Sequence, residues 1–164
     1  MGLFQRYFIF TCSALLLLAA SVVNADLVKA PAITVRTDTG ELSLEQMKGQ
    51  VLYVDFWASW CGPCRKSFPW MNTMQQRYGD KGLKIIAINV DSDPALAKRF
   101  LQEHKSNFTI AYDENGKAAS VFNVKGMPNS YLIDRDGNIQ STHIGFLEKD
   151  TNRMEAAIKA LVNK

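Results

Sequence analysis

Two cysteines separated by two residues, set where a buried strand gives way to a helix, constrain this chain more than any other feature. Val51-Leu52-Tyr53-Val54-Asp55-Phe56-Trp57 is apolar but for one carboxylate and reads as a buried strand. Ala58-Ser59-Trp60 turns the chain, and Cys61-Gly62-Pro63-Cys64 opens the next element. From there Cys64, Phe68, Met71, Met74 and Tyr78 recur at steps of three and four, which predicts an amphipathic helix from Gly62 to about Tyr78. Cys61 then sits at the first turn, where free backbone N–H groups and the helix dipole favour an anion. A thiolate is such an anion, so the position favours ionised, reactive sulfur. Gly62 leaves that sulfur open to approach, and Pro63 suits a first turn that needs no N–H from it. The spacing brings both sulfurs within bonding reach across one turn. Cys61 and Cys64 read as a redox pair.

Other uses of a C-x-x-C pair are weaker. Half of a structural zinc site needs two further ligands, and the candidates Cys12, His104 and His143 are scattered without ligand spacing. No metal site is therefore expected. A disulfide kept for stability is a poor explanation, because closing so short a loop restricts the unfolded chain little.

The first 25 residues read as a targeting segment. Arg6 supplies a positive start, the 17 residues Tyr7 to Val23 are almost wholly apolar, and Val23-Asn24-Ala25 is a small-residue cleavage site before Asp26. Cleavage there leaves residues 26–164 as one domain and places the chain outside the cytoplasm, in the periplasm. The alternative is an uncleaved membrane anchor, for which 17 apolar residues lie at the lower limit. The mature part holds 18 basic and 16 acidic residues, a net charge of +2. So slight a balance argues against a nucleic-acid partner.

The remaining pattern alternates strands and helices. Ala32 to Thr37 reads as a strand, with a turn at Asp38 to Glu41 and a short return. Ser43 and Gln46 resemble a capping box for a helical turn to Met47. Leu83 to Val90 is a second buried strand, so the helix between it and Val51–Trp57 makes a right-handed parallel crossover. Asp91-Ser92-Asp93-Pro94 caps a helix to about His104, followed by a strand from Phe108 to Tyr112 and a helical stretch ending near Asn123. Ser130 to Asp134 and Asn138 to Ile144 form a hairpin with Asp136-Gly137 in its turn, and a helix from Asp150 to Val162 closes the chain.

Trp57-Ala58-Ser59-Trp60-Cys61-Gly62-Pro63-Cys64 resembles the active-site signature of the thioredoxin superfamily, in the strand-to-helix context that signature requires. Pro69, Asp55 and Gly126-Met127-Pro128 match that family's helix-kinking proline, buried aspartate and cis-proline loop, with Gly145 a weaker match. The resemblance implies an α/β, three-layer thioredoxin-like fold, a mixed central sheet flanked by helices. An N-terminal β-hairpin and a helix–strand insertion between Asp91 and Pro128 are its additions, and they resemble the exported TlpA/ResA-like branch.

That branch implies an oxidoreductase that reduces protein disulfides in cytochrome c or copper-site maturation, drawing electrons from a membrane donor. Cys61 would attack the substrate and Cys64 resolve the mixed disulfide. Asp55, its proton held on by burial, would relay the proton of Cys64, with Ala87 where a neutralising lysine stands in thioredoxin. Met127 and the cis-proline Pro128 would bind a substrate strand by backbone hydrogen bonds. Trp60, Gly62 and Pro63 complete the expected substrate seat. Trp57 reads as core, Trp60 and Trp70 as an apolar rim, and His104 and His143 as surface residues. No flavin or nicotinamide motif is present, so no cofactor is expected, and a monomer acting on thiol- or disulfide-containing proteins outside the cytoplasm follows.

Two other functions use the same residues. A Cu(I) carrier could hold the metal on Cys61 and Cys64, since soft thiolates favour it, but the distant histidine of such carriers is not matched. Peroxide reduction calls for a threonine three residues before the attacking cysteine, where this chain has Ala58.

Overall fold

The computed structural model describes residues 27–164. The expected targeting segment, and Cys12 with it, lies outside the described residues. Among the described residues no helix is long and apolar enough to cross a membrane.

Seven strands form one mixed sheet. They are β1 (Thr34–Thr37), β2 (Gly40–Ser43), β3 (Val51–Trp57), β4 (Leu83–Asn89), β5 (Thr109–Tyr112), β6 (Asn129–Ile133) and β7 (Ile139–Ile144). Among the described residues three α-helices connect strands, α1 (Gly62–Tyr78), α2 (Pro94–Glu103) and α3 (Lys117–Val121), and α4 (Thr151–Val162) follows the last strand. The spatial order is β2-β1-β5-β4-β3-β6-β7. β3, β4 and β5 run parallel, while the β1–β2, β1–β5, β3–β6 and β6–β7 pairs are antiparallel. The expected mixed thioredoxin-like sheet is present, and β5 of the insertion joins it between β4 and the N-terminal hairpin.

All seven residues of β3 are buried, because helices or loops cover both faces and parallel strands so enclosed lose the apolar–polar alternation. Tyr53 and Trp57 face one apolar cluster with Phe68, Met71 and Met74 of α1, Phe100 of α2 and Ile158 of α4. Val54 and Phe56 face the other, with Phe122 and Tyr131. Trp57, Phe68 and Phe100 form a closed triangle, with ring centroids 5.0, 4.7 and 5.0 Å apart. Each such aromatic contact adds about 0.5–1.5 kcal/mol beyond area burial, so the strand's end and the start of α1 are held against one rigid cluster.

Several local expectations change. The helical turn after the hairpin spans only Glu45–Met47, starts from Leu44 and has no side-chain cap. Ser43 ends β2 instead, because pairing with Thr34 holds its backbone extended. Asp93 alone caps α2, accepting from the Ala95 N–H at 2.9 Å, which leaves Asp91 free for another use. Trp70 is half-buried rather than a rim residue, packed against Tyr53 (5.5 Å) and Phe146 (6.0 Å). His104 and His143 are half-buried as well. His104 lies over the Phe100 ring at 4.4 Å, and His143 turns its Nε2 inward.

Candidate active site

The chain leaves the sheet at Trp57 and enters α1 at Gly62, and the cysteines lie across that junction. Cys61 is the N-cap of α1, with extended backbone angles, and its Sγ accepts from the Cys64 N–H at 3.2 Å. A sulfur so placed takes up one of the unpaired amide groups at the helix start. The two residues are joined as a disulfide with Cα atoms 5.3 Å apart. The pair is strongly covered: Cys61 keeps 3% of its surface and Cys64 none. What exposure there is belongs to Cys61, although the sequence suggests a more open sulfur. Gly62 and Pro63, the first two residues of α1, are exposed. A Cβ built on Gly62 would meet nothing within 4 Å, so open space lies before the pair. Trp60 stands beside it with 67% of its surface exposed.

The turn before Cys61 is held by a residue that sequence reasoning missed. Asp91, buried at the end of β4, accepts from the Ser59 N–H at 2.9 Å and from its hydroxyl at 3.1 Å. Asn89 completes the clamp, donating from its side-chain amide to Asp91 at 2.8 Å and accepting from the Asp91 N–H at 3.0 Å. In the sequence Asp91 reads with Asp93 as one capping run. Its usable signal is position, since an aspartate just past an apolar parallel strand lies at the carboxyl end of the sheet, beside the neighbouring strand's loop.

Asp55 lies in the middle of β3 on the face that α1 covers, between Tyr53 and Trp57 of the same cluster. It keeps 2% of its surface, and its Oδ2 has no hydrogen-bond partner among the described residues. Ala87 occupies the opposing position on β4 and Ser130 that on β6. With no cation opposite, desolvation alone pushes the carboxyl well above the ordinary range. Its nearness also helps keep the Tyr53 phenol protonated, behind the larger effect of burial.

The third part of the site comes from the far side of β3. The Met127–Pro128 peptide is cis, and Pro128 is buried. β6 begins at once after it, with Asn129 opposite Phe56. One step further along the same antiparallel register puts Pro128 beside Trp57, where the active-site turn leaves the sheet. Gly145, in a left-handed conformation at φ +80°, donates its N–H to the Pro128 carbonyl at 2.8 Å and pins the loop from outside. Met127 is half-buried against both apolar clusters, and its own N–H and carbonyl enter no backbone hydrogen bond among the described residues. They remain available to an extended peptide.

These parts can perform thiol–disulfide exchange: two sulfurs in covalent reach, a proton-holding carboxyl behind them, and unpaired backbone beside them. Among the described residues no three His, Cys, Asp or Glu cluster as metal ligands. A metal would therefore rest on the two sulfurs alone.

Comparison with known proteins agrees with this geometry. The redoxin family matches residues 26–158. The thiol-disulfide oxidoreductase ResA of Bacillus thuringiensis (strain Al Hakam) is 32% identical over 134 residues, covering 81% of this chain and 76% of that one. The thioredoxin-like protein YneN of Bacillus subtilis (strain 168) is 36% identical over 125 residues, covering 74% and 72%. Among solved structures, a candidate DsbE-type thiol:disulfide interchange protein from Chlorobium tepidum superimposes with a TM-score of 0.81 at 44% identity. That match covers 83% of this chain and 96% of the other.

Proposed function

The chain belongs to the redoxin family as a ResA/TlpA-like thiol–disulfide oxidoreductase of the thioredoxin superfamily, and from that premise we propose that it works outside the cytoplasm as a reductant of protein disulfides. Its substrates are proteins bearing disulfides or thiols. The observation that carries the proposed mechanism is the Cys61–Cys64 bridge at a helix start, on the same face as a buried carboxyl without a counter-charge.

The Cys61 thiolate attacks one sulfur of the substrate disulfide. The other substrate sulfur leaves as a thiolate and takes a proton from water. The ionised form of Asp55 then takes the proton of Cys64 as Cys64 attacks the Cys61 sulfur, and the second substrate sulfur leaves as a thiolate that takes a proton from water. The substrate gains two electrons and two protons, and the enzyme ends as the Cys61–Cys64 disulfide. Asp55 suits the proton step because it sits in a dry, apolar face where no lysine competes for it. Trp60, Gly62 and Pro63 border the substrate's approach, and Met127 and Pro128 offer backbone to its chain.

The exported setting rests on residues 1–25 as a signal peptide removed at Ala25, with a membrane anchor as the alternative. A soluble monomer in the periplasm, supplied with electrons by a membrane donor and serving cytochrome c or copper-site maturation, completes the proposal. Gly62-Pro63 between the cysteines favours the reducing direction, as in thioredoxin. Equilibration of the pair against glutathione tests that direction. A potential near thioredoxin's, about −270 mV, is expected, and one near that of the oxidant DsbA, about −120 mV, would reverse the direction.

A further inference from the structure

Arg65 and Lys66 are the fourth and fifth residues of α1, and both are exposed. Cations at that end work against the helix dipole, whose positive pole favours anions, and α1 carries no acidic residue to offset them. Arg65 is drawn back over the helix start. Its Nη2 donates to the Ser59 carbonyl at 3.4 Å, so the guanidinium lies against the turn that carries Trp60 and Cys61. That one long bond leaves the other N–H donors of the fork free. Lys125 is exposed in the loop that leads to the cis-proline, two residues before Met127. None of the three enters an ion pair among the described residues, whereas Arg36, Lys48, Arg77 and Arg153 each have a carboxylate partner.

Little beside the site cancels these charges. Residues 57–74 and 115–133, which supply the active-site turn, the start of α1 and the cis-proline loop, contain no Asp or Glu. The carboxylates after β4 are committed elsewhere: Asp91 holds Ser59 and Asp93 caps α2. In the loop after β7, Glu148 and Lys149 stand side by side. Without Arg65, Lys66 and Lys125, residues 26–164 fall from 18 basic residues to 15, against 16 acidic ones. The excess positive charge of the mature chain therefore belongs to the segments that carry the disulfide and the cis-proline.

We propose that Arg65, with Lys66 and Lys125, recognises carboxylates next to the disulfide of the substrate protein, so that disulfides flanked by Asp or Glu are the preferred substrates. The inference rests on the reading of the chain as a reductant of protein disulfides. Arg65 is the specific contact, because its planar fork meets a carboxylate with two parallel N–H···O bonds and stands one helical turn past Cys61. The two lysines act as point charges that raise the rate of encounter. A single exposed ion pair is weak, and the three cations work together as a field that salt screens.

The test is single-turnover reduction of two cystine-bridged peptides by the reduced protein. One has Asp and Glu beside each half-cystine, and the other has Asn and Gln in their places. The measured quantity is the ratio of second-order rates, acidic over neutral, for the wild type and for an Arg65→Gln/Lys66→Gln/Lys125→Gln variant. Any effect of the lost cations on the Cys61 sulfur itself falls on both peptides and cancels in the ratio. In about 10 mM salt, where the Debye length is ~30 Å, the wild-type ratio should exceed the variant's roughly 10-fold. In about 1 M salt, where that length is ~3 Å, the two ratios should converge. Arg65→Gln alone should remove more of the preference than either lysine change alone. Equal ratios in dilute salt overturn the proposal, and so does an excess that 1 M salt leaves unmoved or an Arg65 share no larger than a lysine's. Equal ratios together with binding to anionic phospholipid vesicles would assign the cations to a membrane surface instead. Reduction of both peptides at equal ratios removes only the docking role, whereas reduction of neither removes the reading of the chain as a disulfide reductant.

Discussion

Asp55 and Ala87 face each other across the parallel pair β3–β4, so the one carboxylate of a wholly buried strand has a methyl group where a counter-charge could stand. Burial without compensation raises its pKa, and the direction fixes a stability prediction. The unfolded chain ionises this carboxyl in the ordinary range, and the native state only well above it. Between those two values the native state holds one proton more, so stability falls as pH rises across the window and is level below it. Asp55→Asn should lack that slope and be the more stable protein above the window. Urea midpoints of the oxidised proteins across pH measure this, and parallel curves would contradict it.

The same substitution should slow resolution. With no acceptor for the Cys64 proton, Asp55→Asn should still form the mixed disulfide but release reduced substrate about 10²-fold more slowly. Rapid-quench separation of the covalent complex from free thiol distinguishes the two steps. Equal slowing of both would place Asp55 outside the proton step.

Asp91 holds the active-site turn from the neighbouring strand, so its loss should show first as instability. Asp91→Ala leaves the Ser59 N–H and the Asn89 side-chain amide without their acceptor in a covered site. Unpartnered buried donors cost about 1–3 kcal/mol each, and a loss of roughly 2–4 kcal/mol in denaturant unfolding is expected. A change below ~0.5 kcal/mol would mean that the clamp contributes nothing.

Trp60 touches solvent and not the core, so its removal should separate recognition from folding. Trp60→Ala should shift stability by no more than about 0.5 kcal/mol. KM for a protein disulfide should rise, while the rate with a small disulfide such as hydroxyethyl disulfide stays near wild type. Equal effects on both substrates would place Trp60 in the chemistry and not in docking.

The sequence carried the parts of this molecule that depend on neighbouring residues. The apolar run of β3, the cysteine junction and the stripe from Cys64 to Tyr78 are local, and each stands where the periodicity puts it. Asp55 was legible because a charge inside an apolar strand is conspicuous, and Gly126-Met127-Pro128 because its resemblance to a known loop is specific. What escaped was settled by distant partners. Trp70 turns inward because Phe146 is there to receive it. Asp91 clamps a loop 32 residues back, a pairing that only β3–β4 register creates. Ser43 caps nothing because pairing in the hairpin fixes its backbone first. His143 on the edge strand β7 reads as a surface residue, and its partner Asp150, 3.8 Å from its Nε2, comes from a later segment of the chain.

The most direct test of the central claim is covalent trapping with Cys64→Ser. Reduced Cys64→Ser protein mixed with a disulfide-bearing protein should accumulate a mixed disulfide through Cys61, which peptide mass mapping would locate, and should not turn over. Reduced Cys61→Ser protein should form almost none, because its remaining sulfur is wholly buried. Equal trapping by the two variants, or trapping through Cys64 alone, would contradict the assignment of Cys61 as the attacking sulfur and with it the reaction proposed for this fold.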